Sequence, residues 1–93
     1  MWIIYETKTL NKVISKLPKN ILKQYELWKR IVELEGGQGL KLIKGYRDES
    51  LKGTWEGHRS SRLNQQWRVI YKMNNKMCEV YVIDINAHDY RRR

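Results

Sequence analysis

The sequence has no phenylalanine, one cysteine (Cys78), one proline (Pro18) and roughly half as many acidic as basic residues. A lone cysteine excludes an intrachain disulfide framework and a cysteine-rich zinc site, and a small domain without such staples suits a reducing compartment. Nothing approaches the ~20 consecutive apolar residues that cross a bilayer. No charged, apolar and small-residue leader opens the chain either, since Trp2-Ile3-Ile4-Tyr5 is only a strand-length run. The expectation is a soluble cytoplasmic protein with no membrane partner. With 93 residues, the chain reads as a single domain over 1–93. A domain of this size buries roughly 60–65% of its unfolded surface, enough for one small core.

What is abundant is positive charge. Nineteen Lys and Arg against ten Asp and Glu leave a net charge of +9. The hydrophobic share of 41% is nevertheless too high for a charge-driven disordered chain. A compact body this basic attracts polyanions, because phosphate binding releases counterions. From Lys41 to Lys72 eight basic residues (Lys41, Lys44, Arg47, Lys52, Arg59, Arg62, Arg68, Lys72) stand against three acidic ones, and Arg91-Arg92-Arg93 closes the sequence. Arginine dominates from Arg59 onward, and its planar fork suits phosphates and bases better than an ammonium does. A solvated face that merely keeps the protein in solution is the plain alternative. Nucleic acid is the partner the charge favours.

The aromatic load falls on four Trp and six Tyr. Tyr25 and Trp28 at helical spacing, and Trp67 and Tyr71 at strand spacing, read as core. Trp55, between two glycines in a charged segment, suits either packing or base stacking.

Residues 2–6 are rich in β formers and read as a first strand. Thr9 or Thr7 can cap a helix over roughly 10–17, with Leu10, Val13, Ile14 and Leu17 on one face. Pro18 breaks it. A second helix over about 19–35, starting at Asn20 or Pro18, carries Ile21, Tyr25, Trp28, Ile31 and Val32, and Gly36-Gly37 ends it. Residues 36–53, rich in glycine and mixed in charge, read as a loop containing one short turn of helix. Strands are expected over roughly 55–63, 66–73 and 78–86, with a turn at Asn74-Asn75-Lys76. The third strand puts Trp67, Val69 and Tyr71 on one face and Arg68, Ile70 and Lys72 on the other. The order β-α-α-β-β-β predicts an α+β domain, two helices on one face of a mainly antiparallel four-stranded sheet, with the other face left to the arginines.

No P-loop, dinucleotide fingerprint, serine elbow or metal-spaced His/Cys cluster is present, so neither cofactor nor metal is expected. Gly36-Gly37-Gln38-Gly39 follows a helix instead of opening one. A basic, aromatic and single-histidine set remains. RNA cleavage by internal 2′-hydroxyl attack needs a proton acceptor, cations for the charge developing on phosphorus, and an acid for the departing 5′-oxygen. His88 can be acid or base. Lys52, Arg59, Arg62 and Arg68 can supply charge, and Tyr90 can stack on a base or share the proton work. A structural or surface role for His88 is the ordinary alternative.

The run Leu51-Lys52-Gly53-Thr54-Trp55-Glu56-Gly57-His58-Arg59-Ser60-Ser61-Arg62-Leu63, continuing through Gln66-Trp67-Arg68-Val69-Ile70-Tyr71-Lys72, resembles the central segment of the RelE/ParE superfamily of bacterial toxins. The HigB and YafQ-like branches are the most similar. Ile83-Asp84-Ile85-Asn86-Ala87-His88-Asp89-Tyr90-Arg91 resembles their C-terminal strand and catalytic His/Tyr segment, although His-Asp-Tyr differs from the Tyr-His ending of other branches.

The resemblance implies a RelE-like fold and a metal-independent, ribosome-dependent mRNA endonuclease acting in the ribosomal A site. It implies catalytic roles for His88, Arg68, Lys52, Tyr90 and Arg62, with Glu49 as an acidic base in one branch. RNA contacts are then expected from Arg59, Trp55, Arg47, Lys44, Arg91 and Arg92. The implied partners are mRNA, ribosomal RNA and a cognate antitoxin from a neighbouring gene, acidic where it touches this chain and DNA-binding itself. A ParE-type inhibitor of DNA gyrase without nuclease activity is the alternative within the superfamily.

Overall fold

The computed structural model describes residues 1–87, so His88, Asp89, Tyr90, Arg91, Arg92 and Arg93 lie outside the described residues. The chain runs β1 (Ile3–Glu6), α1 (Lys8–Ser15), α2 (Lys19–Leu42), β2 (Glu49–Ser50), β3 (Arg59–Arg62), β4 (Arg68–Asn74) and β5 (Glu79–Asn86). One sheet holds all five strands in the order β1-β5-β4-β3-β2. Among the described residues only the β1–β5 pairing is parallel. The α+β class and the two helices agree with expectation, and among the described residues the strand count is five instead of four. The additional strand is β2, two residues long and therefore too short to show a period. The expected strand over 55–63 is ordered as a strand only at Arg59–Arg62, and Gly53–Trp55 forms a 3-10 turn ahead of it.

The helices start where capping chemistry allows. Thr7 Oγ1 accepts from Leu10 N at 3.0 Å, so Thr7 and not Thr9 is the cap of α1. Pro18 precedes the first residue of α2, where its missing N–H costs nothing. Ile21, Tyr25, Trp28 and Val32, four and three residues apart, sit wholly inside the core. Trp28 stacks on Tyr25 and meets the Tyr71 ring edge-on at 5.2 Å, which joins α2 to the middle of the sheet. A polar anchor flanks that contact: Glu6 of β1 accepts from Tyr25 Oη and lies 3.3 Å from Lys29 Nζ.

Gly36 does interrupt α2, with φ 64° and ψ −154°, but the chain resumes helical turns to Leu42. These angles belong to a region essentially reserved for glycine. A Cβ there would also stand 2.4 Å from the indole of Trp2. The break lets Trp2 pack on bare backbone, and Leu40, beyond it, is buried in the same core.

β5 contains an irregularity that decides which residues face outward. Ile70 pairs with Asp84 and Tyr71 pairs with Val82, leaving Ile83 over as a bulge. Val80 and Val82 point into the core. Uninterrupted alternation would bury Asp84 next, but the extra residue buries Ile85 in its place. Asp84 and Asn86 are thereby turned to the face away from the helices.

Tyr25 and Tyr71 hold their phenol pKa values well above the usual value near 10. Burial is the larger cause, and the neighbouring carboxylates Glu6 and Asp48 add to it. The unfolded chain releases these protons above about pH 10 while the folded chain keeps them. Stability is therefore full below about pH 10 and falls by about 1.4 kcal/mol per pH unit for each phenol as pH rises. Urea midpoints should drop across that range, and Tyr25→Phe should make the drop shallower. An unchanged slope in that variant would show that Tyr25 is not among the linked groups. Among the described residues no helix is long and apolar enough to cross a membrane.

Candidate nucleic-acid interface

Strand register determines what meets on the face away from the helices. One cross-strand row is Glu49, Ser60, Ile70 and Asp84, and the next is Arg62, Arg68 and Asn86. Arg62 and Arg68 are thus direct partners on antiparallel strands, an arrangement that destabilises a sheet when the charges match. Arg68 is almost wholly buried, with Nη1 3.6 Å from Glu49 Oε2. Arg62 is half-buried, and its Nε–H is enclosed with no acceptor among the described residues. A pair of guanidinium groups with an unclaimed donor fits an anionic oxygen better than it fits a sheet.

Above this row the segment 51–58 folds back on itself, closed by a 2.9 Å bond from Leu51 N to His58 O. Leu51 and the half-buried Trp55 cover Ile70 as a small second apolar cluster. The Trp55 ring also meets His58 edge-on at 5.3 Å. Packing therefore occupies at least part of Trp55. Lys52 is exposed at the entrance of this segment, just before Gly53. The arginine face is consequently not purely basic: an apolar lid and the carboxylates Glu49 and Asp84 share it.

Arg59 lies elsewhere. Alternation in β3 sends Arg59 and Ser61 to the helix side and Ser60 and Arg62 to the outer side. Arg59 donates from Nε at 2.9 Å and from Nη2 at 2.6 Å to Asp48 Oδ1. Ser61 Oγ donates to Oδ2 at 2.6 Å, and Tyr71 Oη donates to the same oxygen. Burial by itself lowers the Arg59 pKa, but the Asp48 hydrogen bond and charge outweigh it, and the guanidinium stays cationic. Sequence reasoning missed Asp48, whose side chain is 1% exposed. The preceding Arg47, in the left-handed region at φ 43°, makes the turn that sends Asp48 inward. Its only sequence signal is the set of donors at Arg59, Ser61 and Tyr71 that share the inner face.

Lys44 and Arg47 are exposed on the connection between α2 and β2. His88, Tyr90, Arg91 and Arg92 fall outside the described residues. Asn86, two positions before His88 in the sequence, pairs with Arg68. Among the described residues no group of His, Cys, Asp and Glu is arranged to hold a metal ion.

The chain is also similar to known proteins in sequence and in fold. Residues 3–90 match the model of the YafQ family, described as bacterial toxins of type II toxin–antitoxin systems. The mRNA interferase toxin YafQ of Escherichia coli K12 is 31% identical over 62 residues, which are 67% of this chain and 67% of that protein. The fold superposes on crystalline YafQ from E. coli BL21(DE3) with a TM-score of 0.77, at 17% identity over 95% of this chain and 94% of the other. An archaeal RelE–RelB complex from Pyrococcus horikoshii OT3 gives a TM-score of 0.72 at 24% identity, over 99% of this chain and 97% of that one. These matches favour the YafQ and RelE branches over the ParE alternative. The chain belongs to the YafQ family of toxins of type II toxin–antitoxin systems.

Proposed function

We propose that this toxin is a metal-independent endoribonuclease that cuts mRNA in the ribosomal A site and so stops translation. The observation that carries the reading is the Arg62–Arg68 pair, two arginines directly opposite each other across β3 and β4, with an enclosed Nε–H on Arg62 that has no acceptor among the described residues. Its relative in E. coli K12 carries the name mRNA interferase.

In this reading the 2′-hydroxyl attacks the adjacent phosphorus as a base takes its proton. The bond from phosphorus to the 5′-oxygen breaks, and an acid protonates the leaving oxygen. The products are a 2′,3′-cyclic phosphate and a 5′-hydroxyl. Arg62 and Arg68 hold the non-bridging oxygens as charge builds on them. His88 moves a proton, Tyr90 stacks on the base or assists that transfer, and Glu49, beside Arg68, is the second candidate base. Lys52 adds charge at the rim. Trp55, Lys44, Arg47, Arg91 and Arg92 contact the RNA strand or ribosomal RNA. Arg59, bound to Asp48, supports β3 from behind.

The protein works where ribosomes translate, in the cytoplasm. The solved relatives include a RelE–RelB complex, which supports a cognate antitoxin for this chain. That partner is acidic where it meets the arginine face and binds DNA elsewhere.

Primer extension on a defined mRNA in a purified translation system tests the reading. Wild type should cut at the A-site codon only when ribosomes are present, and His88→Ala should lose that cutting with its circular dichroism unchanged. Intact mRNA alongside arrested growth and blocked DNA supercoiling would replace the nuclease with a gyrase inhibitor.

A further inference from the structure

The outer sheet face does not end at the arginines. Along β4 the outward residues continue from Arg68 through Ile70 to Lys72, about 13 Å further at strand rise. Lys72 pairs with Tyr81 of β5, and Tyr81 pairs with Tyr5 of β1. These three form one cross-strand row on the same face as Arg62 and Arg68. Tyr5 and Tyr81 are stacked, with ring centroids 5.0 Å apart and planes 14° from parallel. Both rings are about two-fifths exposed, and Ile3 and Ile83 beside them are exposed as well.

Two large aromatic rings held open to solvent in a domain this small need an explanation. Neither ring belongs to the core, and each is held in place through its hydroxyl. Glu79 accepts from Tyr81 Oη at 2.6 Å and from Tyr5 Oη at 3.2 Å. Its two oxygens thus face the phenols, which ties both partly exposed rings to one carboxylate. Fixed rings lose little entropy when a ligand stacks on them.

We propose that Tyr5 and Tyr81, with Lys72 beside them, form a base-stacking platform for single-stranded RNA, extending the strand's path from the Arg62–Arg68 pair. The platform rests on the nuclease reading for the identity of its ligand. Lys72 neutralises a backbone phosphate while a base stacks on an open tyrosine face, the combination by which open sheet faces and grooves hold single strands without strong sequence preference. A protein segment docking on the same apolar rings is the competing occupant. The shared face with the arginines, the net charge of +9 and the presence of Lys72 in the row favour RNA.

The test is fluorescence anisotropy with a short, uncleavable 2′-O-methyl oligoribonucleotide, alongside ribosome-programmed cleavage by wild type. Tyr81→Leu keeps an apolar side chain but removes the ring, and should weaken oligonucleotide binding by about 5- to 150-fold. Tyr81→Phe keeps the π-face but loses the hydroxyl bond to Glu79, so its affinity should fall between those of wild type and Tyr81→Leu. Glu79→Gln should tighten binding, because it removes a negative charge and keeps an acceptor. Wild-type affinity in Tyr81→Leu, with melting unchanged, would overturn the platform. So would a Tyr81→Leu protein that loses antitoxin binding and keeps RNA binding, which would assign the rings to the protein partner. The two readings fail separately. If wild type does not cleave, the nuclease reading falls, yet a Tyr81-dependent affinity still establishes the platform. If wild type cleaves and Tyr81→Leu binds normally, only the platform falls.

Discussion

Asp48→Ala should cost the fold about 3 kcal/mol, the lower end of the loss expected on removing one partner of a buried ion pair. The lower end applies because the Arg59 side chain is 27% exposed and can turn partly toward water. Against a total of about 5–15 kcal/mol for a domain of this size, that is a large fraction. It corresponds to a melting temperature lower by roughly 12–24 °C. Three donors on two strands converge on this carboxylate: Arg59 and Ser61 from β3 and Tyr71 from β4. Alanine leaves all three without their acceptor. Asp48→Asn keeps an oxygen for Arg59 and an amide for hydroxyls that can rotate to accept, so it should cost only about 1–3 kcal/mol. Denaturant midpoints for the three proteins should fall in the order wild type, Asn, Ala. An alanine variant with the wild-type midpoint would show that the cluster contributes nothing net.

Arg62→Ala should slow cleavage on programmed ribosomes by about 10²–10³-fold, the usual loss when one donor to a developing oxyanion is removed. The stability of the same variant should hold or rise by a few tenths of a kcal/mol, because one of two like charges across a strand pair has gone. That opposition separates a functional arginine from a structural one: a structural arginine loses both. Arg62→Lys keeps the charge without the fork, so its rate should lie between the two. Single-turnover rates and denaturant midpoints on the same preparations decide the matter. A wild-type rate in Arg62→Ala would remove Arg62 from the chemistry. Arg68→Ala should lose a comparable factor in rate, but it also leaves Glu49 without the guanidinium beside it. Its stability should therefore fall where that of Arg62→Ala does not.

Where apolar residues keep a period, the sequence was informative. The stripe Ile21, Tyr25, Trp28 and Val32 placed α2 and its buried face, and the alternation through 67–72 separated Tyr71 from Arg68 correctly. Three features lacked that signal. β3 reads Arg-Ser-Ser-Arg, without an apolar residue to mark its inner face, so Arg59 and Arg62 looked equivalent although they point to opposite sides. The bulge at Ile83 is a matter of pairing, and no local pattern announces a skipped residue. Gly36 was legible as a break but not as a kink, because the helix resumes only through packing on Trp2, far away in sequence. For the site, the sequence could name Arg62 and Arg68. That they face each other depends on the β3–β4 register.

The sheet order has a consequence in time. β5, the last of the described strands along the chain, lies between β1, the first, and β4. The described partner of β1 is β5, so the row from Lys72 to Tyr5 cannot form before β5 has emerged. The bulge that turns Asn86 toward Arg68 arrives with the same strand. Contacts this distant in sequence form late and together. A ribosome making this protein therefore holds helices and a partial hairpin, but no finished basic face. The face that would meet RNA is completed only once β5 has left the ribosome.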